Sequence, residues 1–131
     1  MRTYRQPIAA PPSQVWALIA RPAAWHRWAP HLRGARGLGA PEVEAGACGT
    51  VRLFGAVPVP ACITAKQPGR SWTWRVGPVT LRHRVEPVGD GAVAAIDLCA
   101  PGPLEAAVGV SYGPLIALLL RNLARVAADE S

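Results

Sequence analysis

The stretch Ser71-Trp72-Thr73-Trp74-Arg75-Val76-Gly77-Pro78-Val79-Thr80-Leu81-Arg82-His83-Arg84-Val85 writes two strands whose inward faces can be read residue by residue. Trp72, Trp74 and Val76 alternate with polar residues at the two-residue period of a half-buried strand. After Gly77-Pro78 the alternation resumes, with Val79, Leu81, His83 and Val85 on one side. Both sets can share one face of a hairpin only if the connecting loop holds an even number of residues. With Gly77-Pro78 as that loop, Trp74 lies opposite Leu81 and Trp72 opposite His83. The pattern points one imidazole inward beside two indoles and turns Arg75, Arg82 and Arg84 to solvent. An inward polar group among aromatics is either a core histidine with its bond satisfied or the polar anchor of a cavity, and the sequence leaves both open.

Around that hairpin, 131 residues fit one core, spanning the chain as a single domain, 1–131. A hydrophobic content of 50% with 17% charged residues argues against disorder. No apolar run approaches the ~20 residues of a membrane span, and the N-terminus lacks the apolar core of a signal peptide, so the expected compartment is the cytoplasm. Cys48, Cys62 and Cys99 lie far apart without CxxC spacing and are expected to be reduced, unbridged and buried as small apolar side chains. The net charge of +6 is nearly all arginine, 13 against the single Lys66, but these residues are scattered and no nucleic-acid docking motif accompanies them. A solvated arginine face explains them better.

Dedicated chemistry is sparse. His26 and His31 are five apart with Pro30 between them, and His83 has no Cys, Asp or Glu at ligand spacing, so no metal and no cofactor are expected. Neither Cys48 nor Cys62 sits in a nucleophile elbow, and the glycines of 34–49 precede neither a Lys-Ser/Thr pair nor a long helix, as a phosphate loop requires. Asp97 is the only acid within a strand apart from the strand-ending Glu86.

Residues 3–9 read as a first strand. Pro11-Pro12-Ser13 opens a helix with a stripe of Val15, Trp16, Leu18 and Ile19, stopped at Arg21-Pro22. Residues 23–28 make a second short helix, and the glycine-rich 34–49 holds one short strand around 36–40. Strands follow near 50–54, 59–66, 71–76, 79–86 and 93–99, separated by Gly55, Gln67-Pro68-Gly69, Gly77-Pro78 and Gly89-Asp90-Gly91. In the first of these Val51 and Leu53 suggest one inward phase, Arg52 and Phe54 the other. Residues 104–128 are helical, with Leu115, Ile116, Leu119, Leu123 and Val126 in one stripe and a kink or break expected at Gly113-Pro114.

This order resembles the START-like helix-grip superfamily, specifically its bacterial polyketide cyclase/dehydrase and lipid-transport branch. The resemblance covers essentially the whole chain. It rests on Ile8-Ala9-Ala10-Pro11-Pro12-Ser13-Gln14-Val15-Trp16-Ala17-Leu18, Trp25-His26-Arg27-Trp28-Ala29-Pro30 and Gln67-Pro68-Gly69-Arg70-Ser71-Trp72-Thr73-Trp74. Further marks are His83-Arg84-Val85-Glu86-Pro87 with Asp90-Gly91, and Gly102-Pro103-Leu104. It implies an α+β helix-grip fold, a seven-stranded antiparallel curved sheet wrapped around a long C-terminal helix with two short helices after the first strand. Between sheet and helix the family keeps a deep apolar cavity rather than a shared catalytic residue.

Two function classes follow. The favoured one is a non-catalytic carrier or sensor that binds a hydrophobic small molecule, aromatic, polyketide-like or acyl, with Trp28, Trp72, Trp74, Leu81, His83, Leu115 and Leu119 as expected wall residues. The alternative is an aromatase/cyclase-type enzyme using His83 as acid or base, its ordinary pKa of about 6.5 suiting the task. Against it, the chain lacks the several inward polar groups such cyclases pair. The partners implied are the small molecule itself, with no membrane span, nucleic acid or metal, in a monomer or homodimer.

Overall fold

The computed structural model describes residues 1–53 and 56–130. Strand β1 (Arg2–Ile8) leads into helix α1 (Pro12–Ala20) and a 3-10 helix (Pro22–Arg27). Six strands follow, β2 (Leu32–Arg36), β3 (Cys48–Leu53), β4 (Val57–Gln67), β5 (Ser71–Val76), β6 (Val79–Val88) and β7 (Gly91–Cys99), before helix α2 (Leu104–Glu130). They form one antiparallel sheet in the order β1-β7-β6-β5-β4-β3-β2. The expected helix-grip architecture is therefore present, with both short helices after the first strand.

Local chemistry sets the boundaries. Pro12 begins α1, where its missing N–H costs nothing, and Arg21 adopts an extended conformation before Pro22. The helix buries Val15, Trp16, Leu18 and Ile19, the stripe read from sequence. The second strand lies at Leu32–Arg36 rather than 36–40, because Gly37 and Gly39 take positive φ angles that end the extended run. In β3 the phase is that of Val51, which is buried, while Arg52 stands opposite Arg33 on the other face. The reading of Phe54 and of the turn at Gly55 lies outside the described residues.

Helix α2 runs through Gly113-Pro114 without the interruption that is one of the two outcomes expected there. One missing N–H near the middle of a 27-residue helix leaves the remaining ladder intact, and Pro114 sits on its exposed side. Gly113 has a packing reason: a Cβ there would come within 2.5 Å of the Tyr4 hydroxyl on β1. The helix packs chiefly on β1 and β7, burying Ile116, Leu119 and Leu123. By length and composition α2 is also the one helix among the described residues that could cross a membrane, although the sequence reading found no run of that length. Core helices pass the same test, and the buried side of α2 lies on the sheet.

Arg82 and Arg84 occupy the opposite, convex face, as their register requires. Arg84 is not left in water, however. Its Nε and Nη2 donate to the two Asp97 oxygens at 2.8 and 3.0 Å, and Thr3 Oγ1 donates to Asp97 Oδ1 at 2.8 Å. Burial alone would raise the Asp97 pKa, but these bonds hold it below the usual carboxylate range.

The cysteine reading is overturned for one pair. Cys48 and Cys62 form a disulfide. The β3–β4 register starts with Leu53 opposite Val57 and carries, five residues down each strand, to Cys48 opposite Cys62, with their Cα atoms 4.1 Å apart. Cys99 alone is free. The inference from cysteine usage to a reducing compartment loses its support.

Candidate functional site

The β5–β6 hairpin has the register read from sequence, with Trp72 opposite His83 and Trp74 opposite Leu81. These two adjacent inward rungs meet different surroundings. At the first, His83 stacks on Trp72 with ring centroids 3.9 Å apart, and Trp25 from the 3-10 helix stacks on the far side of Trp72 at 5.5 Å. Trp25 Nε1 and Trp72 Nε1 both donate to the Ile19 carbonyl at the end of α1, at 2.8 and 3.0 Å. Trp28 Nε1 donates to the neighbouring Leu18 carbonyl at 2.9 Å. The carbonyls that α1 leaves unpaired at its C-terminus thus anchor three indoles. His83 is 6% exposed, and burial lowers its pKa to about 4, opposed in part by the backbone of Trp72 and the charge of Asp97. The imidazole is neutral, with no hydrogen-bond partner at Nδ1 among the described residues.

The second rung opens on a cavity of about 190 Å³. Its walls are Val51 and Leu53 of β3, Val59 and Ala61 of β4, Trp74 and Val76 of β5, Val79 and Leu81 of β6 and Leu98 of β7. Leu32 of β2 and Val108 and Tyr112 of α2 complete it. Of the expected wall residues the structure brings Trp74 and Leu81 here. Trp28, Trp72 and His83 are packed in the indole cluster beside it, and Leu115 and Leu119 lie further along α2, toward its C-terminus; none of these five lines the cavity.

Two residues of this apolar wall carry polar side-chain groups. Trp74 Nε1 is buried and, among the described residues, has no acceptor, whereas the other four indoles each donate a hydrogen bond. Tyr112 Oη stands 3.5 Å from His31 Nε2. Burial raises the Tyr112 pKa and lowers that of His31, so both are neutral near pH 7. On sequence alone His31 is weighed only as a metal ligand, and Tyr112 is given no role. The signal was available, since Val108 and Tyr112 extend the Leu115–Leu119–Leu123 stripe by two turns, but the expected break at Gly113-Pro114 cut it short. No group of three or more His, Cys, Asp or Glu side chains able to hold a metal occurs among the described residues.

Comparison with known proteins gives the frame for this geometry. A protein of Rhodobacter sphaeroides shares the fold with a TM-score of 0.74 at 19% identity, covering 98% of this chain and 93% of its own. A polyketide-cyclase-like protein of Corynebacterium glutamicum gives 0.69 at 19%, covering 95% and 89%. CalU16 of Micromonospora echinospora gives 0.66 at 20%, covering 93% and 74%. At such identities these likenesses speak for the fold alone. No curated protein matches the chain. The sequence itself matches the family described as polyketide cyclase/dehydrase and lipid transport over residues 3–128, and the chain belongs to that family, within the START-like helix-grip superfamily.

Proposed function

We propose that the protein binds an apolar small molecule in the cavity bounded by Trp74, Leu81 and Tyr112, as a carrier or sensor. The observation that carries the reading is the unpartnered Trp74 Nε1 in a wall whose one other polar side-chain group is the Tyr112 hydroxyl. A buried N–H without an acceptor costs about 1–3 kcal/mol, and a ligand carbonyl or hydroxyl would recover part of that. A mostly apolar lining with few polar groups is the usual make-up of a small-molecule site. The volume admits a ring or a short acyl end, since a cavity of about 150 Å³ already accepts benzene.

Ala61 provides the test, because it is buried and lines the cavity. Ala61→Leu should fill the space with little loss of stability, and quenching of tryptophan fluorescence by short-chain ketones or alkylphenols should disappear. Unchanged quenching in a folded Ala61→Leu protein would move the ligand elsewhere.

The cyclase-type alternative keeps one supporting observation, and it is not His83. A buried neutral imidazole stacked on Trp72, with Trp74 edge-on at 6.0 Å, is poorly placed to exchange protons with a substrate. Tyr112, at the cavity wall with His31 behind it, has the geometry for donating a proton or a hydrogen bond to a ligand carbonyl. Under that reading Tyr112→Phe abolishes turnover while binding persists.

A further inference from the structure

The cavity adjoins a second concavity of different character. A cleft of about 660 Å³ runs between the 3-10 helix and the β2–β3 side of the sheet, and Leu32 and Val51 line both spaces. The cleft floor includes Trp25, and its rim carries Arg21, His26 and Arg33. No acidic residue lines it among the described residues. Three side-chain cations outside the cleft are paired, Arg27 with Glu130, Lys66 with Glu42, and Arg84 with Asp97 and Glu86, whereas among the described residues other surface arginines such as Arg5 and Arg75 are not. Arg21, His26 and Arg33 have no carboxylate partner among the described residues. Arg33 is held in place by donating from Nε to the Pro30 carbonyl at 3.2 Å, which leaves its terminal nitrogens available. Glu42, which follows the cleft residue Pro41, is already engaged by Trp16 Nε1 and Lys66.

Resting on the cavity reading above, we propose that the ligand is an anionic amphiphile. Its apolar end occupies the cavity beneath Trp74. Its chain crosses Leu32 and Val51, and its carboxylate or phosphate lies in the cleft between Arg21, His26 and Arg33. Two features require the division. The cavity is too small for more than a ring or short acyl end, and the space that shares Leu32 and Val51 with it carries two arginines, Arg21 and Arg33, whose planar forks suit an oxyanion, with the His26 imidazole beside them.

The test compares octanoate, decanoate and octyl phosphate with methyl octanoate and methyl decanoate by calorimetry. The acids and the phosphate should bind about tenfold or more tighter than the esters, the usual scale for a charge-assisted bond. The double variant Arg21→Gln/Arg33→Gln should bring the acids down to ester affinity and leave the esters unchanged, and added salt should weaken only the acids. Acids and esters binding wild type equally, or the double variant weakening both alike, overturns the anionic assignment while the cavity stands. If neither class binds, the cavity reading fails and takes this proposal with it.

Discussion

Two inward rungs of one hairpin, each with a tryptophan on β5 and two positions apart, end in opposite states. At Trp72–His83 a second indole, Trp25, and the end of α1 pack against the pair, and each buried indole N–H there finds a carbonyl. At Trp74–Leu81 the neighbouring side chains are valine, leucine and alanine, and a cavity remains with an indole N–H unmet. Alternation along a strand dictates which face a side chain takes. What covers that face is decided by elements remote in sequence: α1 and the 3-10 helix over one rung, the first turns of α2 over the other.

The contrast predicts unequal costs. Trp72→Ala should lose about 3–5 kcal/mol in urea unfolding, as buried aromatics do, because its stack with Trp25 and His83 collapses. Leu81→Ala, half-buried at a space already partly empty, should lose about 1–2 kcal/mol, below the range of fully buried leucines, and should admit bulkier ligands. Equal losses would mean that the two rungs are packed alike.

The filled rung also carries a pH signature. The His83 pKa is about 4 in the folded protein and about 6.5 in the unfolded chain. Below pH 6.5 the unfolded chain takes up the proton first, so stability is full above that pH and falls as pH drops toward 4. The loss amounts to about 3 kcal/mol. His31 adds in the same direction, since burial lowers its pKa too. His83→Phe keeps an aromatic ring against Trp72 and should remove most of this slope; a variant with the wild-type pH dependence would show that the imidazole is not sealed.

On the convex face, reducing the Cys48–Cys62 bridge should cost up to about 3 kcal/mol on the chain-entropy scale for a loop of this length, with ligand affinity unchanged, because the bond lies across the sheet from the cavity. Affinity falling in step with reduction would tie the two faces together.

Much of the fold was legible because it is local. The Gly77-Pro78 loop fixed the β5–β6 register, and the proline signals at Pro12 and Pro22 bounded α1. The disulfide was not, since a separation of 14 residues becomes a contact only once the β3–β4 register is known. The site was half legible. Trp74 and Leu81 declared themselves by alternation, whereas Tyr112 and His31 meet only because α2 crosses the sheet at one particular place.

The five indole N–H groups supply the most direct test of where the ligand sits. In an amide-nitrogen correlation spectrum each gives one resolvable signal, and four of them are hydrogen-bonded within the protein. Titration with a short-chain ketone, which fits the cavity and carries no anionic head for the neighbouring cleft, should shift the Trp74 signal while those of Trp25, Trp28 and Trp72 stay in place. Movement of Trp25 and Trp72 with Trp74 unmoved would contradict the account and return the site to the Trp72–His83 rung.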